Sequence, residues 1–342
     1  MDTDVAVLAH GGFPDRAKTA LGILRYGDQR VHAVLDSEHA GERVTDHVPD
    51  VPDASIVDSL SAVDADLDAL IVGVAPIGGG FEPSWRPDVR AALERGCDVI
   101  AGLHDFLGDD EELATLADAH GATVRDLRRP PDDLSVAAGR ADAVDARVVA
   151  TVGTDCSSGK MTTAFEVRDA ARNRGVDAAV VPTGQTGIAI AGRGIAVDAV
   201  IADFAAGAVE RMVRAAGEHD LLIVEGQGAL AHPAYSGVTT SILHGAMPDA
   251  LVLCHSAGRN AVNEYERFPI APPDEYAALY ERVARPVHEA PVVAGSLNTS
   301  GFERECAREA VDGFGRALDA PATDPVRYGA DEILPAVLGD GP

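Results

Sequence analysis

The chain reads as an α/β protein built from two parallel-sheet domains, and three observations carry that reading. Short apolar runs alternate with helix-period segments over nearly the whole length, and strands that alternate with helices assemble into parallel sheets through right-handed crossovers. A small-residue loop, Gly153-Thr-Asp-Cys-Ser-Ser-Gly-Lys160, follows the apolar run Arg147-Val-Val-Ala-Thr-Val152 and precedes a helical pattern. Strand, loop and helix beginning at Gly-Lys is the order of a P-loop. A break rich in proline and acid, Arg128-Arg-Pro-Pro-Asp-Asp-Leu-Ser135, separates the two sets of elements. The 342 residues suffice for two domains of ordinary size. The expected division is a Rossmann-like N-terminal domain over 1–135, a linker over 136–146 and a P-loop NTPase-like, doubly wound domain over 147–342.

In the first half the expected strands are Val5–Ala9, Val31–Leu35, Ala69–Val74, Val99–Leu103 and Thr123–Leu127. The expected helices are Arg16–Tyr26, Pro87–Arg95 and Glu111–His120. Ile77-Gly-Gly-Gly80 follows the third strand, where open sheets place ligands. Ala9-His-Gly-Gly-Phe13 follows the first strand, so the dinucleotide fingerprint Gly-x-Gly-x-x-Gly is absent there. In the second half, after 147–152, strands are expected at Ala178–Val181, Ala199–Ala202, Leu221–Val224, Ala250–Leu253 and Val292–Ala294. Helices are expected at Gly159–Arg174, Ala206–Glu218, Asp274–Arg285 and Arg304–Leu318.

Composition narrows the partners. The net charge is −27, which repels nucleic-acid phosphates and anionic lipid. Of 28 basic residues only Lys18 and Lys160 are lysines. An acidic, arginine-biased surface fits a halophilic protein of a salt-rich cytosol; an acidic surface evolved for a basic partner is the alternative. Cys97, Cys156, Cys254 and Cys306 match no zinc or Cys-x-x-Cys spacing. With no secretory signal before the first strand-like run, the expected compartment is the reducing cytoplasm. No apolar stretch reaches the roughly 18 residues of a membrane span.

The chemistry centres on the loop. Backbone N–H groups of Gly153, Thr154, Asp155, Cys156, Ser157, Ser158 and Gly159 converge on a phosphate, with the helix dipole and Lys160 adding positive charge. Met161 stands where a P-loop normally places the Thr or Ser hydroxyl that ligates Mg²⁺; Thr162 and Thr163 could replace it only with shifted geometry. Cys156, inside the nest, could carry an acyl group on an activated thiol or simply be a small residue that fits the loop. Pro182-Thr-Gly-Gln-Thr-Gly187 follows the next strand, making Gly184, Gln185, Thr186 and Gly187 candidate substrate contacts. The alternative is a tight turn that needs glycine.

Leu221-Leu-Ile-Val-Glu225-Gly-Gln-Gly228 is a buried strand ending in an acid, suited to a metal, an attacking amine or a ribose, with Gln227 beside it. His232 lies shortly downstream, as a base or a satisfied structural histidine. Asp203 is a candidate site acid or a helix N-cap. Arg193 and Arg259 could clamp a carboxylate bidentately. Asn298 ends the last strand, where related P-loop folds read the nucleotide base.

Two resemblances follow. The Gly-Thr-Asp opening and the Gly-x5-Gly-Lys spacing resemble dethiobiotin synthetase and its relatives, ATP-dependent enzymes in which the Glu of a Val-Glu-Gly run helps hold Mg²⁺. On that resemblance Glu225 would help hold the metal, and ATP with Mg²⁺ would be the cofactors of a ligase or kinase; Asp203, Asp155 and Thr162 are the other candidate metal ligands, with Lys160 on the transferred phosphate. The combination of 153–163, 182–187 and 224–228 with Gly102-Leu-His-Asp-Phe-Leu107 and Arg128-Arg-Pro-Pro131 resembles a two-domain P-loop family of formerly unknown function. One branch of it acts as D-glutamate N-acetyltransferase, of DgcN type. That resemblance implies acetyl-CoA as donor, a small acidic amino acid as acceptor, and a homo-oligomer. Glu225 or His232 would take the amine proton, N–H groups of Gly226–Gly228 would hold the oxyanion, and the nest would hold the CoA phosphates. A nucleotide-binding regulator without turnover is a third reading.

Overall fold

A computed structural model describes residues 3–76 and 78–339; Ile77, expected in the loop after the third strand, lies outside them. The chain forms two compact units, Met1–Pro130 with Gln185–Ala196, and Pro131–Gly184 with Val197–Pro342.

The first unit is a six-stranded parallel sheet of β1 (Asp4–Leu8), β2 (Arg30–Leu35), β3 (Ser55–Val57), β4 (Ala69–Val72), β5 (Asp98–Ala101) and β6 (Val124–Asp126), in the order β3-β2-β1-β4-β5-β6. The order reverses between β1 and β4, the mark of a doubly wound Rossmann-like sheet. Its inner strands are uninterrupted apolar runs because helices cover both faces. The strand β3 escaped sequence reading because only Ile56 of its three residues is buried.

The segment Gln185–Ala196 belongs to this unit, and its helix Gln185–Ala191 packs on the helix Lys18–Tyr26. A β-carbon on Gly22 would stand 2.8 Å from Ile190, so glycine permits the close approach. Thr186 and Thr19 share a hydroxyl hydrogen bond of 2.9 Å.

The second unit is a parallel sheet of β7 (Arg147–Gly153), β8 (Ala178–Val181), β9 (Leu221–Val224), β10 (Ala250–Ser256), β13 (Val292–Asn298) and β14 (Ala322–Thr323), in the order β14-β13-β10-β7-β9-β8. A two-stranded antiparallel ribbon, β11 (Ala261–Val262) and β12 (Tyr265–Pro269), follows β10. The strand leading into the loop is thus central, flanked by β9 and β10, with Gly153 opposite Cys254.

Two expectations are corrected here. The strand expected at Ala199–Ala202 is a 3-10 turn, Val197–Ala199, followed by the helix Ala202–Ala215. Ile201 is 70% exposed, so that alanine-rich run has no sheet to bury against. The segment 136–146, expected as a linker, lies within the second unit, where Ala138 and Arg140 donate backbone N–H groups to Glu210 at 3.1 and 2.8 Å. Among the described residues no helix is long and apolar enough to cross a membrane.

Candidate active site at the phosphate loop

The helix Lys160–Asn173 starts directly after a turn in which Ser157 has φ of 49° and Gly159 of 95°. Left-handed residues within such a turn swing successive N–H groups toward one centre, which is how a backbone nest binds an anion. Lys160 is buried, and its Nζ donates to the carbonyl of Asp155 at 2.7 Å and to Ser158 Oγ at 3.2 Å. A β-carbon on Gly153 would stand 2.6 Å from Ser158 Oγ, 2.8 Å from that Nζ and 3.0 Å from the Asp155 carbonyl, so glycine lets the strand end approach the loop closely.

Asp155 is completely buried. Its Oδ1 accepts the Cys156 N–H at 2.7 Å; its Oδ2 accepts from Arg259 Nη1 at 3.0 Å and from the Asn263 N–H at 2.9 Å. Arg259 Nη1 also donates to the Cys156 carbonyl at 2.7 Å. A buried carboxylate requires such a partner. Arg259, expected to clamp a substrate carboxylate, is therefore engaged by the loop's own acid.

Thr154 shares a 2.7 Å hydrogen bond with His255 Nδ1, and its N–H donates to the Cys254 carbonyl. The N–H groups of Gly153, Thr154 and Cys156, expected to converge on a phosphate, are thus given to Tyr280 Oη, the Cys254 carbonyl and Asp155 Oδ1, which removes these three from the expected phosphate donors. Burial, reinforced by the neighbouring Arg259 charge, pushes the His255 pKa down to about 4.

His232 is buried with its Nε2 3.9 Å from Asp155 Oδ1, and its Nδ1 accepts the Ala234 N–H at 3.1 Å. Burial lowers its pKa, so the ring is neutral near pH 7. A neutral imidazole whose Nδ1 accepts carries its proton on Nε2. His232 thus faces the loop as a hydrogen-bond donor, which corrects the expectation that it takes a proton.

The same tautomer decides a second point. Asp155, Cys156 and His232 bring an oxygen, the Sγ and a ring nitrogen within 4.8 Å of one another. A ligating histidine donates its other N–H to an acceptor; here the other nitrogen accepts, so the trio does not fit a metal in this arrangement.

At the end of β9, Glu225 Oε2 accepts the N–H groups of Thr183 and Gly184 at 3.1 and 3.2 Å. Gln227 donates its amide to the Thr183 carbonyl and to Thr183 Oγ1. The Gly226 N–H donates to Thr151 Oγ1 at 3.1 Å, which removes it from the expected oxyanion donors. A β-carbon on Gly226 would stand 3.2 Å from Lys160 Cδ, so this turn lines the lysine stem.

The remaining sequence-predicted residues scatter. Met161 is buried, and Thr162 lies on the first turn of the lysine-headed helix. Thr163, expected at the cofactor, instead turns its hydroxyl inward to the Gly159 carbonyl and Ser296 Oγ; this back-bond within the helix fixes its orientation. Asn298 Oδ1 accepts the Ser300 N–H at 3.0 Å, a local turn. Asp203 is exposed on the first turn of the helix Ala202–Ala215, where it complements the dipole; it does not stand at a strand end. Gln185, Thr186, Gly187 and Arg193 lie in the segment that belongs to the first unit, whereas Gly184 closes the preceding stretch of the second.

Sequence reading missed Tyr280. Its buried hydroxyl donates to the Gly153 carbonyl at 2.7 Å and accepts the N–H groups of Gly153 and Leu230 at 3.3 and 3.2 Å. The available signal was a Tyr276–Tyr280 pair at i, i+4 in a chain with only six tyrosines.

A central strand, a nest closed by a buried lysine, and strand ends carrying Glu225 and His255 define a P-loop domain. The chain belongs to the DUF1611 family. The family's C-terminal part, described as a P-loop domain of unknown function, matches residues 135–334, and its Rossmann-like N-terminal part matches 37–130. A protein of Pseudoalteromonas sp named D-glutamate N-acetyltransferase is 37% identical over 267 residues, 77% of this chain and 79% of that one. One of the same name from Tritonibacter scottomollicae is 37% identical over 271 residues, 78% and 80% of the two chains. The crystal structure of a DUF1611 family protein from Anabaena variabilis superposes with a TM-score of 0.91 at 38% identity, covering 99% of this chain and all of that one.

Proposed function

We propose that this protein is an N-acetyltransferase that moves acetyl from acetyl-CoA to the amine of an acidic amino acid, D-glutamate first among them. The observation that carries this reading is the 37% identity, over more than three quarters of both chains, to two proteins named D-glutamate N-acetyltransferase. In this reading the loop 153–160 holds phosphates of CoA. The buried Met161, standing where a Mg²⁺-binding hydroxyl would be, favours phosphate binding without nucleotide hydrolysis.

The residues divide the work as follows. The neutral amine attacks the thioester carbon; the C–N bond forms, the C–S bond breaks and the thiol departs. Glu225 accepts the amine proton and returns it to the sulfur as the C–S bond breaks, so that the leaving group departs as the thiol. The His232 Nε2–H, held toward the loop by the Ala234 N–H on its other nitrogen, donates to the carbonyl oxygen as charge develops there.

The test is incubation at high salt with D- or L-glutamate and either acetyl-CoA or ATP with Mg²⁺. Free thiol appearing only when the amino acid is present supports the transferase. Release of ADP or phosphate instead would replace it with a ligase, and tight binding with no product would make the protein a sensor.

A further inference from the structure

We infer that Tyr235 is a stacking platform for an adenine ring whose phosphates lie in the loop 153–160. The proposal rests on the phosphate-binding reading of that loop. Aromatic residues make up only 4% of this chain. Among the described Phe, Tyr and Trp residues Tyr235 is the most exposed, with half of its surface open to solvent. It is also part of a group. Its ring lies 4.6 Å from that of His232 at a tilt of 34°, and Tyr265 meets the same imidazole edge-on at 5.2 Å. Phe268 continues the group beyond Tyr265 at 6.5 Å.

The position is tied to the loop. The His232 that backs Tyr235 stands 3.9 Å from Asp155, and the ribbon carrying Tyr265 is anchored by the Asn263 N–H on the same carboxylate. The platform is also held in place. A β-carbon on Gly228 would come within 2.7 Å of Tyr235 Cβ, and the Tyr235 carbonyl accepts from Thr239 Oγ1 at 3.0 Å. Tyr235, half-exposed, packed on the His232 imidazole and fixed near the loop, offers aromatic surface to a ligand there. Bases stack on such faces whatever their hydrogen-bonding edge.

Adenine could arrive on CoA or on a nucleotide, and the experiment separates them. Equilibrium binding of CoA, ADP, inorganic pyrophosphate and 4′-phosphopantetheine would be measured for wild type, Tyr235→Ala and Tyr235→Phe. The proposal expects Tyr235→Ala to weaken CoA, ADP or both by about tenfold, the scale of one lost base–aromatic stack. Pyrophosphate and phosphopantetheine binding should be unchanged, and Tyr235→Phe should match wild type throughout. A loss confined to CoA assigns the site to the acyl donor, and one confined to ADP assigns it to a nucleotide. Unchanged CoA and ADP binding in Tyr235→Ala overturns the platform while leaving the loop reading intact. A wild-type protein that fails to bind pyrophosphate removes the loop reading and the platform with it.

Discussion

Arg259 Nη1 lies 3.0 Å from Asp155 Oδ2, and the same nitrogen reaches the carbonyl of Cys156 at 2.7 Å. One guanidinium thereby fixes both a buried charge and the backbone of the turn that forms the nest. The arginine is part of the loop's architecture, which explains how the loop accommodates a fully buried acid.

Removing that cation strands the carboxylate. Arg259→Ala should lower stability by about 3 kcal/mol, the low end for a broken buried pair because this side chain keeps some solvent contact. Adding Asp155→Asn should recover part of the loss. Urea unfolding of the two single variants and the double variant checks this, and simple additivity would contradict the coupling.

Acid should destabilise the fold over a defined window. The His255 pKa falls from 6.5 to about 4 in the folded chain, mainly through burial, and His232 is shifted the same way. The unfolded chain therefore binds more protons than the folded one between these values, so stability rises with pH across that range. The contribution is fully present above about 6.5 and is lost as pH falls toward 4. Thermal midpoints of wild type and His255→Gln, taken from pH 7 to pH 4, should converge as the wild type loses this term.

Tyr280→Phe deletes one hydroxyl that serves three backbone groups of Gly153 and Leu230. The expected cost is about 1–3 kcal/mol, since buried partners are left unsatisfied. If the proposed transferase reading holds, the accompanying signature is a raised KM for acetyl-CoA, because the loop at Gly153 loses its anchor. A stability loss with unchanged KM would confine Tyr280 to folding.

The net charge of −27 predicts self-repulsion that salt relieves. The thermal midpoint should rise steadily as KCl increases from low concentration to molar levels. A flat response would show that the acidic surface carries no such strain.

What the sequence disclosed follows from how local each feature is. The strands β8 and β9 were legible residue for residue because four consecutive apolar side chains in each are buried on both faces. The loop was legible because nest formation depends on glycine spacing and one lysine, both printed in consecutive residues. The helix Ser236–Ala246 was missed although Thr239, Ile242, Leu243 and Ala246 form its buried stripe; its threonines and glycines disguise the period. The pairing of Asp155 with Arg259 spans more than a hundred residues and leaves no local pattern. The donor role of His232 depends on a single backbone N–H two residues away. Sequence can place a histidine near a strand end, but only the folded backbone decides which nitrogen carries the proton.

The most direct measurement of the central claim is calorimetric titration of acetyl-CoA into wild type and Lys160→Ala, with circular dichroism to verify that both are folded. Loss of a charge-assisted phosphate contact should weaken binding by about tenfold or more. Equal affinity in the two proteins would place the donor's phosphates away from this loop and contradict the account.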